Sequence, residues 1–209
     1  LSLHDALPIW TVLRDHPVPM LLGTLGAFAT FVLFYLMTVF SLGHGTAVLG
    51  YSREQFLLMQ MAGMLFFALG IPLSARYGDR WGTRRTMIVA SVLIIGFGVL
   101  FAPLFQPHSP WLVTAFLCLG LFLMGLTYGP CGTFLAEIYP VEVRYTGASL
   151  SFNLAGILGA APAPYLATWL AERFGLVAVG YYLCLTAVAT LCALVALHRR
   201  ALWLSQRSA

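Results

Sequence analysis

The sequence predicts an all-α integral membrane protein of six transmembrane helices, and three observations predict it. Sixty per cent of its residues are hydrophobic and nine per cent charged, with a positive mean hydropathy, whereas soluble chains carry about 25% charged residues. The apolar residues fall in runs long enough to cross a bilayer core, which takes roughly 20 residues per helix. The charges gather in the short segments between those runs, and the 11 cationic residues are all arginines.

The elements follow in order. The first ten residues, LSLHDALPIW, lack the basic start and continuous apolar core of a signal peptide. They read as non-native, adapter-like sequence or as part of a linker, and are set aside. Arg14, Asp15, His16, Pro17 and Pro19 form a polar lead-in to a first span over 20–42. After a glycine-containing loop, Ser52 is placed to cap a second span over 55–75, with Glu54 in its first turn. A basic loop follows, with Arg76, Asp79, Arg80, Arg84 and Arg85 around two glycines. A third span covers 86–105. The fourth covers 111–137, the fifth 147–171 and the sixth 176–198, so that residues 11–200 form one six-span domain with a tail over 201–209. The fourth and fifth spans are joined by a charged elbow carrying Glu142 and Arg144.

Arginine placement sets the orientation. With a cytoplasmic start, nine arginines (14, 76, 80, 84, 85, 144, 199, 200 and 207) lie inside and two (53 and 173) outside. The positive-inside rule then places both termini in the cytoplasm. No basic face is left for nucleic acid once the spans are assigned. The four cysteines sit inside apolar runs without metal-ligand spacing, so neither a disulfide nor a metal site is expected, and no cofactor is indicated. Catalysis is not indicated either: Ser151 has no histidine at its depth, and no carboxylate pair occurs mid-span.

The chemistry at depth is therefore neutral. Tyr35, Gln60, Thr127, Tyr128 and Asn153 are the mid-span polar groups and the candidates for a substrate cavity. Hydrogen bonding or packing between helices is the alternative use for each. Pro130 removes the partner of the Leu126 carbonyl, and Gly129 beside it loosens the helix. A bend there either lines a cavity or improves packing. The fifth span carries small residues at Ala155/Gly159 and Gly156/Ala160, spacing that admits a close neighbour, and Pro162 and Pro164 bend its outer end.

Three motifs carry a resemblance. GDRWGTRR at 78–85 resembles the D-R-x-G-R-R loop of the major facilitator superfamily. GP at 129–130 with FLAEIYP at 134–140 resembles the end of its tenth span. RYTGAS at 144–149, continued by NLAG at 153–156 and Pro164, resembles its eleventh. Thr83 stands where that loop is usually basic, and Ala75 where glycine is common. The match runs over nearly all of 11–200. The chain is most similar to the C-terminal half of the metabolite:proton symporters, whose members carry organic acids and betaines.

The resemblance implies one half of a twelve-helix transporter in a bacterial inner membrane, with small-molecule substrate and protons as partners. The N-terminal six-span half, and most proton-carrying acids with it, would lie outside this sequence. The resemblance further implies a cytoplasmic charge cluster of Asp79, Arg80, Arg84, Arg85, Glu137 and Arg144 that holds an inner gate. A positive-inside anchor is the plainer reading of the same charges. A sugar porter or drug exporter of the same fold, or a six-span scaffold without a transport cycle, are the alternative functions.

Overall fold

A computed structural model describes residues 8–106 and 109–207; residues 1–7, most of the segment set aside above, lie outside them, as do 208 and 209 at the end of the tail. The described residues form helices throughout, with no strand among them. A short helix α1 (Pro8–Asp15) takes in the last three residues of the set-aside segment. It stops at His16 because Pro17 drives the preceding residue out of helical geometry (φ −127°, ψ 40°). Pro17 then opens α2 (Pro17–Tyr35), in the first turn where a missing N–H is harmless. A π-helical segment (Leu36–Phe40) and α3 (Ser41–Ala47) continue it, making one 31-residue span, Pro17–Ala47.

Helix α4 (Arg53–Trp81) begins with the expected Ser52 cap, reinforced by Gln55 in a reciprocal capping box. It does not end near Ala75: the helix continues through Arg76, Asp79 and Arg80. The basic loop is therefore a helix end, a single-residue elbow at Gly82 and a helix start. Gly82 has φ +95°, which a residue without Cβ adopts freely. Helix α5 (Thr83–Val99) and the single turn α6 (Phe101–Leu104) cover the third predicted span. The break at Leu100 has a local cause, since Pro103 offers no N–H to the Val99 carbonyl and its ring crowds that carbonyl. At 17 residues, α5 is about 26 Å long against a hydrocarbon core of about 30 Å.

Helix α7 (Pro110–Glu137) is capped by Ser109 and runs unbroken through Gly129 and Pro130. The elbow over 138–143 leads to α8 (Arg144–Ala160), which starts earlier than expected, at Arg144. The proline pair interrupts the fifth span after Ala160, and α9 (Ala163–Phe174) resumes it. Gly175, with φ +78°, turns the chain into α10 (Leu176–Arg207), which takes most of the predicted tail into the helix. Among the described residues, five helical stretches are long and apolar enough to cross a membrane: Pro17–Ala47, Arg53–Trp81, Pro110–Glu137, Arg144–Phe174 and Leu176–Leu197.

Packing is pairwise. Helix α4 lies along α7, α2 along α8, and α10 against both α2 and α5. Glycines bring α4 and α7 together: a Cβ on Gly70 would sit 2.7 Å from the Phe122 carbonyl oxygen, and one on Gly125 2.5 Å from that of Phe67. The main core is aromatic. Phe116 stacks on Phe105 at 4.7 Å and meets Phe101 edge-on at 4.8 Å, and Phe40 and Phe56 are buried in the same cluster. A second core joins Ala27, Met87, Cys131, Phe134 and Leu194. Only 22% of the apolar window of α4, and 22% of that of α8–α9, is buried within the chain. These two spans therefore present most of their surface to lipid or to other protein.

Candidate substrate groove and charged elbow

The α2–α8 seam is built by small residues. Ala155 and Gly159 are buried against α2, and a Cβ on Gly159 would lie 3.1 Å from both the Phe28 carbonyl oxygen and the Phe31 Cβ. On the open side of the seam Gly156 and Ala160 floor a cavity of about 380 Å³, walled by Phe31, Phe34, Tyr35, Phe152 and Asn153. Tyr35 is half-buried, with its ring edge-on to Phe34 at 5.2 Å. Asn153 is exposed and donates Nδ2–H to the Ser149 carbonyl at 2.8 Å, leaving its amide oxygen to accept. Phe152 packs edge-on against Phe31 at 4.9 Å and also walls a neighbouring cavity of about 530 Å³ that includes Arg144 and Ser149. The Tyr128 ring approaches Phe152 at 6.5 Å and Phe67 at 5.8 Å.

The five neutral candidates thus divide. Tyr35 and Asn153 share one groove, and Tyr128 borders it through Phe152. Gln60 lies elsewhere, buried, donating Nε2–H to the carbonyls of Met37 (2.9 Å) and Thr38 (2.8 Å) in the π segment. Thr127 is buried and returns its hydroxyl to the Met124 carbonyl. Both act as helix-to-backbone contacts. Phe31, Phe34 and Phe152 were invisible as site residues in the sequence, because a phenylalanine in an apolar span carries no mark of which face it occupies. His44 was missed as well. It stacks on Phe40 at 5.4 Å and lines a third cavity of about 500 Å³ with Glu172.

Gly129 sits where α7 meets α4. A side chain there would collide with the Ser74 hydroxyl and the Ile71 carbonyl, and Ser74 Oγ–H itself bonds the Ile71 carbonyl at 2.9 Å. Pro130 beside it is buried.

At the charged end, the Thr83 hydroxyl donates to Glu137 Oε1 at 3.2 Å, tying the start of α5 to the end of α7. The residue that departs from the basic loop pattern therefore makes a hydrogen bond to Glu137. Asp79 and Arg80 occupy the exposed last turns of α4, and Arg84 and Arg85 the first turn of α5. Arg144 Nε–H reaches the Tyr139 carbonyl at 3.5 Å, bracing the elbow. Tyr139 is buried, its hydroxyl 2.7 Å from Ser151 Oγ. Burial raises the phenol pKa above its ordinary value, and the Ser151 hydrogen bond partly offsets this.

Residues 20–207 match the Major Facilitator Superfamily. The chain belongs to that family. It is an integral membrane chain of a transporter family, and not an enzyme. It is 46% identical over 197 residues to the inner membrane metabolite transport protein YhjE of Escherichia coli K12, covering 92% of this chain and 45% of that protein. It is 28% identical over 192 residues to the citrate-proton symporter of Klebsiella pneumoniae, covering 91% and 43%. Against the proline/betaine transporter of Salmonella typhimurium LT2 it is 26% identical over 161 residues, covering 77% and 32%. The chain spans less than half the length of each of these relatives.

Proposed function

We propose that this chain is the C-terminal six-span half of a proton-coupled symporter for a small organic acid or betaine-like metabolite, working by alternating access. The observation that carries the reading is the groove between α2 and α8. It is neutral and aromatic at mid-depth, offers Tyr35 and Asn153 as polar groups, and lies beside a cavity carrying Arg144. Relatives named as citrate-proton and proline/betaine transporters support the substrate class. The five long stretches become six spans when α5 and α6, over the third predicted span, are counted together across the break at Leu100. The nine-to-two arginine asymmetry supports cytoplasmic termini in a bacterial inner membrane.

In such a transporter the binding site lies near the midplane between two halves that rock against each other. This half supplies one wall, and a second six-span half supplies the other. The sparsely buried α4 and α8–α9 spans are the surfaces available to that partner. The Thr83–Glu137 contact joins helix ends beside Asp79, Arg80, Arg84 and Arg85 and, with Arg144 of the next helix, serves as part of the inner gate. Exposed ion pairs contribute only about 0–1 kcal/mol each, and the Thr83–Glu137 hydroxyl–carboxylate bond adds to them.

The test is proton-gradient-driven uptake of labelled citrate and glycine betaine by the full-length transporter, with Asn153→Ala alongside. Uptake that a protonophore abolishes and Asn153→Ala weakens supports the reading. Gradient-independent uptake, or none of either compound, contradicts it.

A further inference from the structure

Between α4 and α5, away from the substrate groove, lies a cavity of about 280 Å³ whose walls include Leu73, Val89, Leu93 and Phe122 and whose rim carries Trp81 and Arg85. Its composition is that of a membrane–water boundary. Val89, Leu93 and Leu73 are 59%, 46% and 40% exposed, so the groove opens to the surroundings of the two helices. Trp81 is 61% exposed and meets the Tyr77 ring edge-on at 6.3 Å, the placement of interfacial aromatics that sit at headgroup level. Arg85 is exposed in the first turn of α5. The Gly82 elbow lets the start of α5 fold back beside the end of α4, bringing that guanidinium over the mouth of an apolar slot.

We propose that this groove binds one anionic phospholipid, an acyl chain against Leu73, Val89, Leu93 and Phe122 and the phosphate on the Arg85 guanidinium. Charge decides the headgroup: an arginine fork matches phosphate geometry with two parallel hydrogen bonds, and basic pockets between membrane helices take anionic headgroups. The apolar lining beside the arginine, Leu73, Val89, Leu93 and Phe122, suits the acyl chain that such a headgroup carries. The arginine stem lies along the apolar wall while its head stays at the boundary.

The experiment uses the full-length transporter containing this chain, reconstituted in phosphatidylethanolamine nanodiscs doped with phosphatidylglycerol. Lipids retained after transfer to detergent are counted by native mass spectrometry. The expected result is one phosphatidylglycerol retained per chain, with retention falling about tenfold in Arg85→Gln, as for loss of a charge-assisted hydrogen bond. Retention should also fall in Leu93→Trp, which fills the slot and keeps the arginine. Membrane yield and thermal stability of both exposed-site variants should match the parent. Equal retention in Arg85→Gln would overturn the headgroup assignment, and equal retention in Leu93→Trp would overturn the acyl-chain assignment. Crosslinking from Val89 to a protein helix rather than to lipid would show a protein partner in the groove instead.

Discussion

Substituting Gly125 by alanine adds one methyl group where α7 presses on α4, and the structure defines what that methyl meets. The nearest atoms are the Phe67 carbonyl oxygen at 2.5 Å, the Gly70 Cα at 3.1 Å and the Gly70 carbonyl carbon at 3.3 Å. All are backbone, so no rotamer change relieves the contact and the helices must separate. Overpacking of this kind costs about 1–3 kcal/mol. Against it stands the gain of replacing glycine in a helix, about 1 kcal/mol. Gly132, two turns along the same helix, separates the terms, because a Cβ there meets nothing within 4 Å. Gly132→Ala takes the same helical gain without the clash, so the difference between the variants isolates the contact at about 1–3 kcal/mol. For a chain of this size that is roughly 2–12 °C in Tm. Thermal unfolding of both variants in detergent, followed by tryptophan emission, measures it. Equal Tm values would refute the claim that glycine-to-backbone contact sets the α4–α7 distance.

Three further outcomes follow from other contacts. Gln60→Leu removes the donor to the Met37 and Thr38 carbonyls and should lower stability by about 1–3 kcal/mol for each acceptor left buried; an unchanged Tm would show that the π segment holds itself. Thr83→Val breaks the bond to Glu137 and, like Glu137→Gln and Asp79→Asn, should slow transport while membrane levels stay near normal. Loss of protein with unchanged activity per molecule would mean a purely structural role. A reporter enzyme active only outside the cytoplasm should be active when fused in the 48–52 loop and silent after Arg200; strong activity after Arg200 would reverse the orientation.

Five of the six expected spans were legible as long apolar helices because apolar runs are a property of composition, and the Ser52 cap because its chemistry is local. Helix ends were less so. Arg76, Asp79 and Arg80 read as loop because they are charged, yet long polar side chains at a span's end reach the interface without interrupting the helix. The break at Leu100 has its cause at Pro103, four residues away from the carbonyl it deprives and inside a continuous apolar run that hides it. The groove was half legible. Tyr35 and Asn153 stood out as polar residues at depth, but so did Gln60 and Thr127, and only packing separates a polar group that bonds backbone from one that faces a cavity. In the sequence Thr83 is only a departure from a usually basic position, whereas its hydroxyl meets Glu137 across a separation of 54 residues, which no local pattern encodes.

The claim that this chain forms one wall of a two-half symporter is tested most directly by gradient-driven uptake in vesicles. Residues 11–209 are produced alone or together with a matching N-terminal six-span half, and labelled citrate or glycine betaine is followed under an imposed proton gradient. The account predicts that the chain alone inserts, since each helix satisfies its own backbone, without accumulating either compound, and that co-production restores uptake. Protonophore-sensitive accumulation by the chain alone would contradict it, and would show that two copies complete the path.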